Sequence, residues 1–422
     1  MGDAHEVALS LETALLPRTP QSRRAHIQQK VSTQFLLLCT ASFLSVLSLI
    51  NAASFGLLLV PVSTGLPSTA GVPIFLISSV VAQIALCFSS GVSFAAGGAT
   101  IELIPLLKPI AVLVSGPALS LAEKASTLLA MLSCTSLIIS IIYVTVSRLR
   151  LGGIFRCIPL IVLKSALTGV GVFLLIESVK MGVGLHEEAD EVGQAQPGID
   201  EAPPSSVSTQ ILGEGLPRLL ATIGVYAGLA FLQRQTSSPF ATLTYLSSAV
   251  AVVAALRSAG LLVLDQAWYF GLDPSSTSAD SVAATEPNAE TSMFGLLPLF
   301  SVFDIRFDIL LSSLPYALSA AFVHALVTVT DLVALEGTAT AAAEKAAKET
   351  AKLAASKGET ASVATSPPAA FSLDREMGAI GVANLLAATV GVMPNYMQLT
   401  PSVVALRFTR GVTEGSAGPY AR

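Results

Sequence analysis

The sequence predicts an all-α, polytopic helical membrane protein, and three observations carry that prediction. The hydrophobic share is 52% and only 12% of the 422 residues are charged, whereas a soluble domain carries about 25% charge. Mean hydropathy is +0.71. Apolar runs of about twenty residues, the length that crosses a bilayer core, recur along the chain. Gly (31) and Pro (23) are ordinary in number, which excludes a collagen-like chain, and the apolar content excludes a disordered one. A net charge of −5 gives no nucleic-acid footprint.

Candidate spans lie near 34–62, 71–90, 98–117, 126–147, 157–184, 216–233, 239–264, 308–335, 376–393 and, shorter, 400–408. The organisation follows. A cytoplasmic N-terminal tail (1–32) leads into segments one to five (33–184). An acidic non-cytoplasmic loop (185–215) precedes segments six and seven (216–264), and a second acidic loop (265–307) precedes segment eight (308–335). A cytoplasmic Ala/Lys-rich loop (336–373), read as an exposed helix and a Ser-Pro-Pro linker, leads to segments nine and ten (374–408) and a cytoplasmic tail (409–422). Alternating the sides from a cytoplasmic N-terminus puts most of the 23 basic residues inside and both acidic loops outside, as the positive-inside rule requires.

Two segments break the pattern. In Ser93-Phe94-Ala95-Ala96-Gly97-Gly98-Ala99-Thr100-Ile101-Glu102, two glycines precede a brief apolar run that soon meets Pro105 and Pro109. In Pro394-Asn395-Tyr396-Met397-Gln398-Leu399-Thr400-Pro401, Thr400 reads as an N-cap and Pro401 as the first helical residue, which is proline's preferred place. Residues 394–399 are then extended backbone at membrane depth, which is tolerated only when buried in protein or lining a cavity. Two interrupted short helices in corresponding halves of a chain point to a transport site between inverted repeats. Their N-terminal amides suit an anion. The plainer reading of Gly97-Gly98 is close helix packing.

The run Leu149-Arg150-Leu151-Gly152-Gly153-Ile154-Phe155-Arg156-Cys157-Ile158-Pro159, followed by Gly169, Gly171, Glu177, Gly182 and Gly184, resembles the fifth-span motif of SulP-type sulfate permeases. Asp374-Arg375-Glu376 with Gly378, Gly381, Asn384, Gly391 and Pro394 is similar to that family's ninth-to-tenth-span signature. Residues 50–56 (Ile-Asn-Ala-Ala-Ser-Phe-Gly) and Pro394-Asn395-Tyr396 resemble the fungal vacuolar-membrane branch most. The resemblance implies a 7+7 inverted-repeat fold, in which a core domain slides against a gate domain. Its anion site lies between the starts of the third and tenth segments, beside the first and eighth. It assigns substrate contacts to Asn51, Phe55, Gly97, Gly98, Ala99, Thr100, His324, Leu399 and Thr400. Three departures accompany it. Pro401 stands where a basic residue often follows, and His324 stands for the acidic residue linked to proton coupling in some members. The chain ends at Arg422, so it reads as C-terminally truncated, without four last segments and a STAS domain.

Ionisable groups inside a bilayer are expensive unless paired or facing water. Glu102, one turn into the third half-helix, is repulsive toward an anion unless it is protonated or pairs with a cation. His324 either bonds a neighbouring carbonyl or handles substrate or a proton, since imidazole titrates near neutrality. Asp331 and Glu336 read as solvated ends of segment eight. The four cysteines and four histidines show no metal-site spacing, so no metal, cofactor or enzymatic chemistry is expected. The function implied is secondary active transport of small sulfate-like anions by alternating access. The alternative is a non-transporting fragment or membrane scaffold derived from such a transporter. Expected partners are the anion, the bilayer, a coupled proton and a second copy in a homodimer, with no nucleic acid and an endomembrane location.

Overall fold

The computed structural model describes residues 20–60, 64–92, 94–116, 119–155, 216–236, 299–356 and 371–414, with single positions within 161–179 and 244–255 and at 296. The expected spans 157–184 and 239–264 and the acidic loop 185–215 fall largely or wholly outside these residues. So does the second acidic loop up to about residue 298.

Helix α1 (Pro20–Leu59) begins well before its apolar stretch, and α2 (Gly71–Ser89) follows a short turn. Strand β1 (Gly97–Ala99) passes through a 3-10 turn (Ile101–Leu103) into the short helix α3 (Ile104–Val112). Then come α4 (Leu121–Arg148), the single turn α5 (Gly152–Phe155) and α6 (Leu216–Gln235). The second half supplies α7 (Phe307–Ser312), α8 (Leu314–Ser356), α9 (Leu373–Val390), β2 (Asn395–Met397) and α10 (Leu399–Glu414). Among the described residues, four stretches are long and apolar enough to cross a membrane: Leu37–Leu59, Gly71–Ser89, Leu121–Arg148 and Leu314–Ala341. The shortest of them extends about 28 Å at a helical rise of about 1.5 Å per residue, which matches the hydrocarbon core.

Local sequence explains the ends. Ser120 opens α4 as a capping box, its hydroxyl accepting from the Glu123 amide while the Glu123 carboxylate accepts from the Ser120 amide. Helix α9 is capped by Ser372 and stops at Gly391, whose φ of 81° is left-handed, a conformation that glycine adopts without steric cost. Helix α3 is short because Pro105 stands in its first turn and Pro109 inside it. One boundary differs from expectation. Segment eight and the Ala/Lys-rich stretch form one unbroken rod to Ser356. Hydropathy drops after Leu335, but the alanines, lysines and glutamates that follow are strong helix formers and nothing there stops a helix.

Small residues set the packing. Helices α1 and α2 cross backbone to backbone: a Cβ on Gly71 would lie 1.9 Å from the Gly56 carbonyl oxygen. Helix α9 packs along α4 and against α2, with Gly378 against Ser147 and Gly381 against Val144 and Tyr143. The Ser140 hydroxyl donates to the Gly381 carbonyl at 2.8 Å. Helix α8 packs against α3, α4 and α10, and α1 touches both α3 and α10.

Asp374-Arg375-Glu376 forms a clasp at the start of α9. Asp374 Oδ1 accepts from the Gly152 amide at 2.7 Å. The Glu376 carboxylate, 1% exposed, accepts from the Ser90 hydroxyl and, at 2.8 Å, from the Gly91 amide. One turn of α9 thus fixes the chain leaving α2 and the chain leaving α4. Glu376→Ala removes two hydrogen bonds made to part-buried donors, each worth about 0.5–1.5 kcal/mol. Its thermal unfolding temperature in detergent should fall well below that of the parent, with Glu376→Gln intermediate.

Candidate substrate site at the crossing of two half-helices

The two interrupted segments meet. Strands β1 and β2 pair antiparallel, with Gly97 opposite Met397, Gly98 opposite Tyr396 and Ala99 opposite Asn395. The ribbon continues on both sides, with the Thr100 amide on the Pro394 carbonyl at 3.0 Å and the Gln398 amide on the Ala96 carbonyl at 2.9 Å. Helices α3 and α10 therefore start from opposite ends of one two-stranded ribbon. The extended backbone expected at 394–399 is present at Asn395–Met397.

Side chains satisfy what pairing leaves open. Gln83 Oε1 accepts from the Gly97 amide at 2.9 Å, the Ser79 hydroxyl from the Ala99 amide at 3.3 Å and the Ser402 hydroxyl from the Ala96 amide at 3.0 Å. Asn384 brackets Asn395: its Oδ1 accepts from the Asn395 amide at 3.0 Å and its Nδ2 donates to the Asn395 carbonyl at 2.7 Å. The Ser78 hydroxyl donates to the Met393 carbonyl at 2.7 Å and the Ser136 hydroxyl to the Val392 carbonyl at 3.1 Å. Of these intramembrane polar residues, the sequence singled out Asn384 in the family-like signature, whereas Ser78, Ser79, Gln83, Ser136 and Ser402 did not stand out. The signal that could have found them is a polar side chain on an otherwise apolar span.

The glycine pair is fixed by close approach. A Cβ on Gly97 would lie 2.8 Å from the backbone carbon of Ala82, and one on Gly98 would lie 2.3 Å from Gln398 Nε2. Ala99 is fully buried. Asn51 and Phe55 are half-buried on α1, the helix that touches both half-helices.

His324 lies in the apolar first half of α8, 0% exposed. Its Nε2 is 3.1 Å from the Asn395 carbonyl oxygen, so Nε2 carries the ring proton and donates. Nδ1 faces the hydroxyls of Tyr143 at 3.0 Å and Thr328 at 3.3 Å. The Tyr143 hydroxyl also reaches the His324 carbonyl at 3.1 Å. Both ring nitrogens are thus engaged by protein, and the ring clamps β2 to α8 and α4.

The tenth half-helix starts differently from the sequence reading. It begins at Leu399, so Thr400 is its second residue and is exposed. The cap comes from another helix: Asp331 Oδ2 on α8 accepts from the Leu399 amide at 3.3 Å. Asp331 is therefore part of the crossing rather than a solvated segment end. Across the ribbon, the Tyr396 hydroxyl donates to Glu102 Oε1 at 3.1 Å. Among the described residues, three buried side-chain oxygens lack a hydrogen-bonding partner: Thr100 Oγ1, Glu102 Oε2 and Asn395 Oδ1.

The model of the sulfate permease family matches residues 46–409. The chain belongs to the sulfate permease family. Members of this family are transporters and not enzymes, so this permease is an integral membrane transport protein of the anion-transport class. The match runs from within α1 to within α10 and so includes both half-helices. No curated protein and no solved structure matched the chain.

Two substitutions probe this permease's crossing. Gly98→Ala should lower the unfolding temperature by the equivalent of about 1–3 kcal/mol of overpacking. Adding Gln398→Ala should restore part of that loss, because the clash is with a side-chain end. His324→Leu removes one of two donors from the Asn395 carbonyl and the ring partner of the Tyr143 hydroxyl, leaving Asn384 and the backbone carbonyl of residue 324 as their partners. It should destabilise by about 0.5–1.5 kcal/mol per lost hydrogen bond in the same assay.

Proposed function

We propose that the permease carries small sulfate-like anions by secondary active, alternating-access transport, with the cargo binding where the two half-helices leave their shared ribbon. The observation that carries this reading is the antiparallel pairing of Gly97–Ala99 with Asn395–Met397. It brings two helix starts together in the interior of a family whose members move ions. Helix starts present unsatisfied amides and a partial positive charge, and broken helices at depth are the mark of transporter binding sites. Thr100, Leu399 and Thr400 flank those starts, while Gly97, Gly98 and Ala99 let the backbones approach. Asn51 and Phe55 contribute from α1, and His324 holds the ribbon from behind. The likeness of residues 50–56 and 394–396 to the fungal vacuolar branch supports an endomembrane location.

Purified permease in proteoliposomes should accumulate labelled sulfate. Thr400→Trp, which fills the exposed side of the tenth half-helix start, should reduce that uptake at least tenfold while leaving the size-exclusion profile unchanged. Unchanged uptake would remove Thr400 from the site, and wild-type liposomes indistinguishable from empty ones would overturn the function.

A further inference from the structure

Each strand of the ribbon is gripped on its outer edge by one carboxamide, and the two grips differ. On α9, Asn384 takes both the amide and the carbonyl of Asn395, at 3.0 and 2.7 Å. That is the exchange an antiparallel neighbour makes with the residue it faces. On α2, Gln83 Nε2 donates to the Ala95 carbonyl at 3.3 Å while its Oε1 accepts from the Gly97 amide at 2.9 Å. A carbonyl and the amide two residues on are the pair that a parallel neighbour engages. Gln83 therefore stands where a third strand would stand beside β1.

Three observations separate Gln83 from its counterpart. Asn384 is 0% exposed, whereas Gln83 is only half-buried. The Asn395 carbonyl has a second donor in His324 Nε2. Among the described residues, no second side chain engages the Ala95 carbonyl or the Gly97 amide. Gln83 Nε2 also has an alternative partner on its own helix, the Cys87 sulfur one turn on, at 3.5 Å. The tenth half-helix start is thus held by a sealed, doubled grip and the third by a single, shared one. Beyond Ala99 the chain passes straight through the turn Ile101–Leu103 into α3. A grip at residues 95 and 97 consequently sets how that half-helix start stands against the ribbon.

We propose that Gln83 is a positioning residue of transport: its carboxamide, acting as an adjustable third strand, sets the stance of the third half-helix start and thereby the affinity for the anion. The inference rests on the crossing being the transport site, and adds to it a residue that acts through the backbone of β1. Asn384 holds the tenth start as the fixed reference, so the two starts are not equivalent.

The test follows labelled sulfate uptake against sulfate concentration in proteoliposomes of the purified full chain, for the parent, Gln83→Met and Cys87→Ala. Methionine is unbranched and similar in length, and offers neither an amide donor nor a carbonyl. Gln83→Met should raise KM about fivefold or more with Vmax within about twofold, the mark of lost binding rather than lost protein. Cys87→Ala should match the parent. A fall in Vmax at unchanged KM, or no change in either, overturns the proposal. So does an equal KM rise in Cys87→Ala, which would assign the effect to packing in the last turn of α2. Should Gln83→Met fail to fold, Gln83→Asn is read instead, since it draws the same carboxamide back by one methylene: a several-fold KM rise supports the grip and an unchanged KM overturns it. Hydrogen exchange without sulfate gives a readout independent of cargo. Peptides covering 96–103 should exchange faster in Gln83→Met while those covering 394–399 match the parent, and equal exchange in both regions overturns the proposal. That contrast in a protein that accumulates no sulfate refutes the anion reading alone.

Discussion

The constraint on which the molecule depends is that backbone amides and carbonyls cannot go unpaired at membrane depth. Two helices are broken inside the fold, and a break exposes several such groups at once. The solution is reciprocal. Each broken strand uses the other as its partner, and the outer edges of the ribbon are closed by amides, hydroxyls and one imidazole projecting from α2, α4, α8, α9 and α10. Polar residues that would be costly on an isolated span become the means by which an irregular segment is accommodated.

That arrangement explains how an irregular crossing is held stable. Asn384 binds the amide and carbonyl of one residue, as a neighbouring strand would, and His324 adds a second donor to the same carbonyl. The ribbon is fixed from behind, through Asn395 and its neighbours, while its other face carries Tyr396, Thr100 and Glu102. Rigid support on one side and unpartnered oxygens on the other are what a binding site needs for preorganisation.

Much of this was legible from sequence because it depends on local chemistry. Paired glycines, a Pro-Asn-Tyr run and a Thr-Pro step marked where helices could not continue, and the structure has breaks there. The partnership between the breaks was legible only as an analogy, since Gly98 and Tyr396 are some three hundred positions apart. Asp331 was misplaced for a physical reason: a falling hydropathy profile was taken for a membrane boundary, whereas α8 carries its acid inward to cap another helix. For Thr400, local cap preference lost to a cap supplied through space. His324 is legible as an intramembrane titratable group, and Thr328 one turn on is a partner that helical periodicity could supply, but Tyr143 and Asn395 lie on elements that no periodicity connects to it.

The unbroken course of α8 has a mechanical corollary. The rod that holds Asp331 against the Leu399 amide also runs some fifteen residues beyond the apolar stretch ending at Ala341. From Asp331 to Ser356 the helix contains no proline, and an α-helical stretch without one is stiff along its length. A push or twist applied to the projecting end is therefore delivered inward as leverage on the tenth half-helix, so the two cannot be repositioned independently while that bond persists.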